Sequence, residues 1–376
     1  MSGARAPLAG YRVVDFSTMI AGPYCTRLLA DCGAEVIKVE SRDGDHIRRV
    51  APFSDDVGMY FGQLNCGKKS VVLDLKAPDG LASARKLIAG ADIVVENFRP
   101  GVMRRLGLSY EDLSARHPEL VYCSISGFGQ EGPRAQEPAY APIIHAASGH
   151  DLAHLSYQPD AERPDRCGIF TADILAGVHA FGAIQTALLA RARFGGGQFI
   201  DVALMDCMLN LLVHECQIAQ NLQHEPRMLY APTAASDGFV IITPISQRNF
   251  ERMAYAMEAE AWIEDPRFRT DADRRRHWPE LLAAMEAWTL QRTARECETR
   301  MADAGVPCSR YRTIAEAIHD PQSAARGLMA EVKTGTGHFL VPNAPFQFAD
   351  GSVGVNATVP ALGEHNAALL ADSAAE

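Results

Sequence analysis

The stretch YRVVDFSTMIAGPYCTRLLADCGAEVIKVE, residues 11–40, decides the fold. Its apolar run over residues 11–17 predicts a strand, and a helical pattern over residues 24–31 follows the break at residues 21–23. Residues 35–40 predict a second strand after Gly33. A strand, a helix and a strand in so short a span are typical of a βαβ unit, whose two strands run parallel.

The same alternation continues through the first half of the chain. It predicts strands over residues 70–75, 92–98, 120–126 and 199–204, and helices over residues 78–89, 169–193 and 205–223. We therefore predict an α/β fold in which a Rossmann-like large domain carries a parallel sheet with helices on both faces.

A polar stretch with two prolines, later in the chain, predicts a boundary between domains. Residues 1–223 form the first part of the large domain, and the polar stretch 224–236, with Pro226 and Pro232, predicts a linker. Residues 237–326 predict a smaller α+β domain. Residues 327–376 return to strands and turns, and we expect them to rejoin the large domain.

Composition excludes several classes of protein. The 376 residues suggest two domains at about 150 residues each, and a content of 47% hydrophobic and 22% charged residues excludes general disorder. A net charge of -10 disfavours a non-specific nucleic-acid binder, which needs a basic surface. We see no stretch as apolar as a membrane span and no signal sequence, so we expect no membrane partner.

Cysteine and histidine usage indicates neither disulfides nor a metal. The nine cysteines are odd in number and form no C-x-x-C pair, which predicts reduced thiols in a cytoplasmic protein. The 12 histidines show no metal-ligand spacing. We therefore expect neither a metal nor a redox cofactor.

A glycine motif, Gly127-Phe-Gly-Gln-Glu-Gly132, follows a predicted strand and matches the dinucleotide fingerprint in letters. That fingerprint needs a helix opening at its third glycine, so that phosphates lie at the helix N-terminus. Here Pro133 and Pro138 follow instead. The motif therefore predicts a loop and not a nicotinamide site.

Asp173 is the carboxylate of most interest. It stands at the start of a predicted helix, and the positions that share a face are small and apolar: Ala176, Gly177, Ala180, Ile184 and Leu188. Asp173 therefore lies at the edge of a buried face. Its side chain could simply cap the helix, which the residues alone favour, or serve as a nucleophilic or acid–base carboxylate.

Two further groups have alternative interpretations. Asn97-Phe-Arg-Pro-Gly101 ends a predicted parallel strand, where ligands bind, so Arg99 and Arg105 could hold phosphates or form a solvated basic turn. Gly149-His150-Asp151 could be an acid–base pair, but the residues alone favour a surface loop.

The ordered set of motifs resembles the class III coenzyme A transferases, a family that includes formyl-CoA transferase, carnitine CoA-transferase and α-methylacyl-CoA racemase. The resemblance spans nearly the whole chain. It is carried by residues 7–16, 21–25, 33–40, 65–76, 96–101, 126–133, the helix beginning at Asp173, and residues 195–202, 305–308, 320–321 and 362–365.

The resemblance implies an enzyme and an interlocked homodimer. Its substrates would be an acyl-CoA and a carboxylic acid acceptor, with coenzyme A as a substrate and no separate cofactor. Asp173 corresponds to the family's nucleophile, which carries an aspartyl-CoA thioester. The positions that correspond to the family's CoA-binding segments are Ile20, Ala21, Arg42, Leu73, Asp74, Lys76, Asn97, Phe98, Arg99 and Arg105.

Departures from the family pattern bear on the substrate. Ala141 and His145 replace an acidic residue and a glutamine found in many members, and residues 224–236 lack the glycine-rich loop of formyl-CoA transferase. These changes argue against formyl-CoA and oxalate. Arg310, Arg312 and His145 could suit a second carboxylate on the acceptor. A racemase that exchanges a proton at the α-carbon remains the alternative, since His150-Asp151 matches that branch in letters but not in spacing.

Overall fold

The computed structural model describes residues 6–158, 160–220, 229–334 and 337–370. Two compact units divide the chain: the first comprises Met1–Gln220 and Gln322–Glu376, and the second comprises Asn221–Pro321. The strands are β1 (Arg12–Asp15), β2 (Glu35–Glu40), β3 (Phe53–Ser54), β4 (Val57–Gly58), β5 (Lys69–Val72), β6 (Ile93–Glu96), β7 (Val121–Ser126), β8 (Gln198–Ala203), β9 (Thr233–Ala235), β10 (Gly238–Ile242), β11 (Cys308–Arg310), β12 (Met329–Lys333) and β13 (His338–Pro342).

Helices connect most of these strands, and a short 3₁₀ helix covers His46–Arg49. The α-helices are α1 (Ala21–Asp31), α2 (Met59–Asn65), α3 (Pro78–Ala89), α4 (Val102–Arg105), α5 (Tyr110–Ser114), α6 (Ala141–Ala147), α7 (His150–Ser156), α8 (Thr171–Phe194), α9 (Leu204–Leu211), α10 (Val213–Ile218), α11 (Gln247–Ala256), α12 (Ala261–Glu264), α13 (Asp271–Arg276), α14 (Trp278–Thr289), α15 (Ala294–Asp303), α16 (Ile314–Ile318), α17 (Pro321–Ala325) and α18 (Asn366–Leu370).

The first unit is built on a sheet whose described strands follow the order β5-β2-β1-β6-β7-β8, all parallel. The mixed α/β class and the parallel sheet predicted from the sequence are confirmed. Strands Arg12–Asp15 and Ile93–Glu96 lie at its centre and are almost entirely buried, because a parallel sheet is covered on both faces.

Alternate residues of the central strands point to opposite faces. Val13 and Val95 pack with α1 and α8, whereas Val14 and Val94 pack with α3. Each face of the sheet therefore has its own buried cluster of apolar side chains. Helices α1 and α8 both pack into the same cluster. That shared face places the start of α8 beside the loop that follows β1.

The segment after Pro321 adds a β-hairpin and covers an edge of the large sheet. Strands β12 and β13 pair antiparallel. Two side chains of this segment accept hydrogen bonds from the backbone of the outermost strand, β5. His365 Nδ1 accepts the N–H of Ser70 at 3.2 Å, and Asn366 Oδ1 accepts the N–H of Val72 at 2.8 Å.

The second unit contains an antiparallel sheet in the order β11-β10-β9 among its described residues. Helices α11, α14 and α15 bury Phe250, Met285 and Cys297 in one core. Strand β9 lies inside the stretch predicted as a linker, which is therefore wrong for Thr233–Ala235. The hydroxyl of buried Thr233 donates to the Val240 carbonyl at 3.2 Å, so polar residues pair here as a strand. Linker residues 224–228 lie outside the described part.

Helices α8 and α9 each differ from what the sequence predicts. The helix predicted over residues 205–223 is interrupted at Leu212, whose backbone angles of −81° and 51° separate α9 from α10, and residues 221–223 lie outside the described part. Helix α8 is long and apolar enough to cross a membrane by length and composition alone. A single such helix is weak evidence for a membrane span, because core helices of soluble proteins meet the same criterion.

The nine cysteines are unpaired in the structure. Most are buried, as expected for thiols that pack as small apolar side chains. The glycine motif also forms a loop without a helix at Gly132, in keeping with the sequence-based expectation. Gly127 is needed there because a Cβ would lie 2.5 Å from the Cβ of Ala139.

Candidate functional site

The site lies where the strand order of the large sheet reverses. Strand β1 is flanked by β2 on one side and by β6 on the other, so the loops that follow β1 and β6 diverge and leave a crevice. Two hydrogen bonds lock these loops together: the N–H of Thr18 donates to Asn97 Oδ1, and Asn97 Nδ2 donates to the Thr18 carbonyl, each at 2.8 Å.

A strained backbone follows Thr18. Met19 has a φ of 66°, in the left-handed region that favours glycine. Its N–H donates to the Asp45 carboxylate at 3.2 and 3.3 Å, which compensates part of the conformational cost. Asp45, which lies outside this loop, therefore helps to fix the backbone conformation of the loop after β1.

Two buried ion pairs support this loop from beneath. Lys68 lies 3.1 Å from Asp15 and Lys38 lies 3.0 Å from Asp45, and all four side chains are fully buried. Burial alone would raise the pKa of Asp15, but the two lysines hold it below its ordinary value. Lys38 also donates to the Ser17 carbonyl at 2.8 Å, which ties the pairs directly to the loop.

Lys38 and Lys68 were not identified from the sequence as residues that support the site. A signal was present in the sequence. Asp15 follows Val13-Val14 and Lys38 stands between Ile37 and Val39, and the two residues are register partners in β1 and β2. Charged residues among buried strand positions indicate ion pairs, since an unpaired buried charge is prohibitively costly, and the partners here are Lys68 and Asp45.

Asp173 occupies the third position of α8. The residue at the N-cap position is Phe170, so the interpretation of Asp173 as a helix cap is wrong. Burial raises the pKa of its carboxyl group to about 6, and the backbone N–H of Ala141, the first residue of α6, opposes part of that rise. The predicted apolar stripe is confirmed, because Ala176, Gly177, Ala180, Ile184 and Leu188 are all buried.

Gly177 allows α1 and α8 to approach closely. A Cβ at this position would lie 2.7 Å from the Ala21 carbonyl oxygen and 3.0 Å from a ring carbon of Tyr24. This close approach brings the start of α1 next to the turn that carries Asp173. Tyr60 is also near, since burial together with the charge of Asp173 raises the pKa of Tyr60 to about 12.

Asp173 lines a cavity of about 260 Å³, which we call the Asp173 cavity. The loops after β1, β6 and β7 and the segment before α6 form its walls. Four of the predicted CoA-binding residues line it, and its chemically relevant lining residues are Thr18, Met19, Ala21, Asn97, Phe98, Arg99, Ser126, Tyr140 and Asp173. Ser126 Oγ is buried there without a hydrogen-bond partner among the described residues.

A second cavity, of about 550 Å³, lies at the carboxyl ends of β2 and β5, and we call it the Arg42 cavity. Thr18 and Phe98 line both cavities, so the two adjoin. The predicted residues Arg42, Leu73, Asp74 and Lys76 line the Arg42 cavity together with Phe98.

Two of the predicted CoA-binding residues lie elsewhere. Ile20 is buried with Ile47, Phe61 and Leu64 and precedes the first residue of α1. Arg105 is exposed on α4 and does not line either cavity. The structure thus brings eight of the ten predicted contacts to the two cavities.

Glu96 ends β6 and adjoins the site. Its carboxylate accepts the N–H of Phe98 at 2.8 Å and a hydrogen bond from Ser124. Burial raises the pKa of Glu96 to about 7. The group therefore carries a proton for much of the time at neutral pH, two residues before Phe98, which lines both cavities.

A polar cluster lies beside the start of α8. The ligand atoms of His145, His150 and Asp151 lie within 4.8 Å of one another, a spacing that could hold a metal and that the sequence analysis did not anticipate. His150 Nδ1 lies 3.0 Å from Asp151 Oδ1, so the pair that the sequence left open as an alternative is in contact.

Arg310 and Arg312 are engaged with carboxylates of their own unit. Arg310 lies 2.8 Å from Glu316, and Arg312 lies 3.0 Å from Glu298 and 3.3 Å from Asp320. The suggestion that these guanidinium groups bind the acceptor is therefore not supported, because internal ion pairs already occupy them.

Comparisons with known proteins agree with this geometry. The model of CoA-transferase family III matches residues 8–366. A succinate–glutarate CoA-transferase of Agrobacterium fabrum is 33% identical over 99% of this chain and 97% of its own length. A succinyl-CoA–D-citramalate CoA-transferase of Chloroflexus aurantiacus is 35% identical over 97% of this chain and 94% of its own.

A solved structure has the same fold. The crystal structure of a CAIB/BAIF family protein from Brucella suis superposes with a TM-score of 0.86 at 34% identity, covering 98% of this chain and all of its own. Family match, sequence identity and fold extend over nearly the whole chain, so this chain belongs to CoA-transferase family III.

Proposed function

We propose that this protein transfers coenzyme A from an acyl-CoA thioester to a free carboxylic acid, through an aspartyl-CoA thioester on Asp173. The observation that carries the proposal is a partly buried carboxylate with a pKa of about 6 that lines a cavity at the switch point of the sheet. Such a group is mostly ionised at neutral pH, yet it is more basic than an ordinary aspartate and hence a better nucleophile.

The two adjoining cavities support a division of the substrate between them. The larger Arg42 cavity has the size and the cationic side chains, Arg42 and Lys76, to take the nucleotide end of coenzyme A. The pantetheine arm would then pass Thr18 and Phe98 to bring the thioester to Asp173. The two hydrogen bonds between Asn97 and Thr18 fix the backbone that lines this path. The path would therefore need no reorganisation when the thioester reacts.

The steps balance without any redox change. The Asp173 carboxylate attacks the thioester carbonyl, the C–S bond breaks, and a mixed anhydride and CoA thiolate form. The thiolate attacks the aspartyl carbonyl of the anhydride, which releases the donor acid and leaves the aspartyl-CoA thioester. The acceptor carboxylate then repeats both steps in the reverse sense, so CoA leaves on the acceptor and Asp173 is regenerated.

For the acceptor we propose a short dicarboxylic acid. Relatives named for succinate, glutarate and citramalate align over nearly the full chain, which supports this class. We propose the formyl-CoA transferase type of mechanism with a donor other than formyl-CoA, because Ala141 and His145 depart from the family pattern and residues 224–236 lack a glycine-rich loop.

We also propose an interlocked homodimer in the cytoplasm. Only 39% of the most apolar window of α8 is buried within the described chain, and Val178, Leu189 and Phe194 are exposed. Apolar area of this kind favours a partner surface. Unpaired cysteines support a reducing compartment.

The proposal is tested with a panel of acyl-CoA thioesters and free dicarboxylic acids in deuterated water. Mass spectrometry of all CoA esters is expected to detect new esters of the added acids. Deuterium at the α-carbon of a donor without new esters would assign the racemase alternative, for which the hydrogen-bonded His150–Asp151 pair is the observation in favour.

Asp173→Ala is the variant that tests the nucleophile. We expect it to lose transfer by more than about a thousandfold while keeping its thermal unfolding profile, because only the attacking group is removed. Intact-protein mass spectrometry after an acid quench is expected to show a covalent CoA adduct on the wild type alone. Asp206→Ala, at an exposed first-turn aspartate of α9, is the matched control, and full activity of Asp173→Ala would refute the assignment.

A further inference from the structure

A hydrogen bond joins the starts of α6 and α8. The N–H of Ala172 on α8 donates to His145 Nε2 of α6 at 3.1 Å, and the Ala141 amide of α6 favours the charged form of the Asp173 carboxylate of α8. Both amides lie in the first turn of their helix, where no intrahelical acceptor exists. Both alanines are fully buried, so each amide needs a protein partner.

The bond from Ala172 fixes the tautomer of His145. Nε2 must present its lone pair to the amide, so the proton of the neutral ring resides on Nδ1. Nδ1 lies 3.3 Å from Cys167 Sγ, and that thiol lies 3.8 Å from the Ile169 carbonyl. The donors then run in one direction: imidazole to sulfur, and thiol to carbonyl.

This tautomer argues against a metal on the cluster. A histidine that binds a metal donates its other ring N–H to an acceptor. In His145, Nε2 accepts the Ala172 N–H and Nδ1 carries the proton, so neither nitrogen is free to bind a metal. A metal on Nδ1 would require the Ala172 bond to break. The three ligand atoms within 4.8 Å therefore serve hydrogen bonding and not coordination.

We propose that His145 is a positioning residue for the nucleophile, a neutral imidazole that fixes the first turn of α8 so that Asp173 stays aimed into its cavity. The inference rests on the proposed function of Asp173. His145 does not line the Asp173 cavity and acts through the Ala172 amide one residue away. Since near-attack geometry is sensitive to shifts of an ångström, loss of this bond lowers the rate of the chemical step.

Protonation of His145 breaks the arrangement. An imidazolium has two donors and no acceptor, so it cannot receive the Ala172 amide. The groups that face the ring are His150 and Asp151 of α7, Cys167, and Asp173 of α8 beyond Ala172. Burial, and then His150, lower the pKa of His145, which keeps the ring neutral at neutral pH.

The test compares His145→Gln, which retains an oxygen acceptor, with His145→Leu, which does not. We expect His145→Leu to lower kcat by about tenfold to a hundredfold with less than about a twofold change in the KM of the acyl-CoA, and His145→Gln to restore most of kcat. His154→Gln, a half-exposed histidine of α7, is the matched control and is expected to retain wild-type rates.

A pH profile separates positioning from a merely structural role. The wild type needs Asp173 ionised and His145 neutral, so log kcat is expected to fall in acid with a slope of about two, whereas His145→Gln falls with a slope of about one. Unchanged kcat in His145→Leu, or the same slope in both proteins, would overturn the proposal. If His145→Leu does not fold, the proposal is judged by whether the acid slope of log kcat differs between His145→Gln and the wild type.

Two outcomes separate this inference from the function on which it rests. Wild-type protein that forms neither new CoA esters nor a covalent adduct refutes the proposed function itself. Transfer by the wild type with unaltered kinetics in the His145 variants refutes only the inference. Stoichiometric zinc that is present in the wild type and lost in His145→Gln would also overturn it, in favour of coordination.

Discussion

Replacing Glu96 with glutamine measures what the buried carboxyl group costs the fold. Glu96 is 4% exposed, and burial raises its pKa from 4.5 to about 7. As the pH rises above 4.5, the unfolded chain loses this proton while the folded chain retains it, so stability falls until about pH 7 and then levels off. At 1.36 kcal/mol for each pH unit, the loss amounts to about 3 kcal/mol.

Glutamine removes this dependence while keeping the local contacts. Its oxygen can accept the N–H of Phe98, and its amide can donate to the Ser124 hydroxyl. We therefore expect Glu96→Gln to match the wild type near pH 4 and to exceed it by about 3 kcal/mol at pH 8, since the variant carries no charge to bury.

Urea unfolding followed between pH 4 and pH 8 checks this expectation, with the transition of the first unit analysed separately. Glu111→Gln, at an exposed residue of α5, is the control and is expected to parallel the wild type. A difference between Glu96→Gln and the wild type that does not vary with pH would refute the reasoning. So would a variant that is less stable at pH 8.

Three further predictions follow from contacts at the site. Gly177→Ala is expected to destabilise the protein by about 1–3 kcal/mol and lower its Tm, because the added Cβ would lie 2.7 Å from the Ala21 carbonyl oxygen. Asn97→Leu is expected to lower kcat/KM by at least about tenfold, measured by steady-state kinetics, since both bonds that lock the loop after β1 are lost. Lys68→Met is expected to cost about 3–5 kcal/mol in urea unfolding because it leaves Asp15 charged and unpaired, and the double variant with Asp15→Asn should recover part of that loss.

The sequence predicted the elements best where local signals agree. Helix Pro78–Ala89 was predicted with the bounds that the structure has, because Pro78 suits a first helical position and Gly90 follows the last. Strand Glu35–Glu40 was equally well defined. Leu212 carries no such signal, and its backbone break depends on packing that a helical pattern does not record.

The candidate site was predictable in part. The carboxyl ends of parallel strands brought Asn97 and Lys76 to the expected cavities. The position of Asp173 within its helix was not predictable, since the N-cap depends on where Phe170 leaves the preceding loop. The bond from Ala172 to His145 spans 27 residues and arises only when α6 packs on α8.

The covering of β5 by His365 and Asn366 has a consequence for biosynthesis. Residues 69–72 emerge early during translation, yet the side chains that satisfy their outward N–H groups emerge nearly 300 residues later. Until then the nascent sheet presents an open edge, the kind of surface on which other chains add strands. Truncation before residue 365 would leave that edge permanently open, so we expect shortened chains to be recovered as aggregates even though every residue of the Asp173 cavity is present.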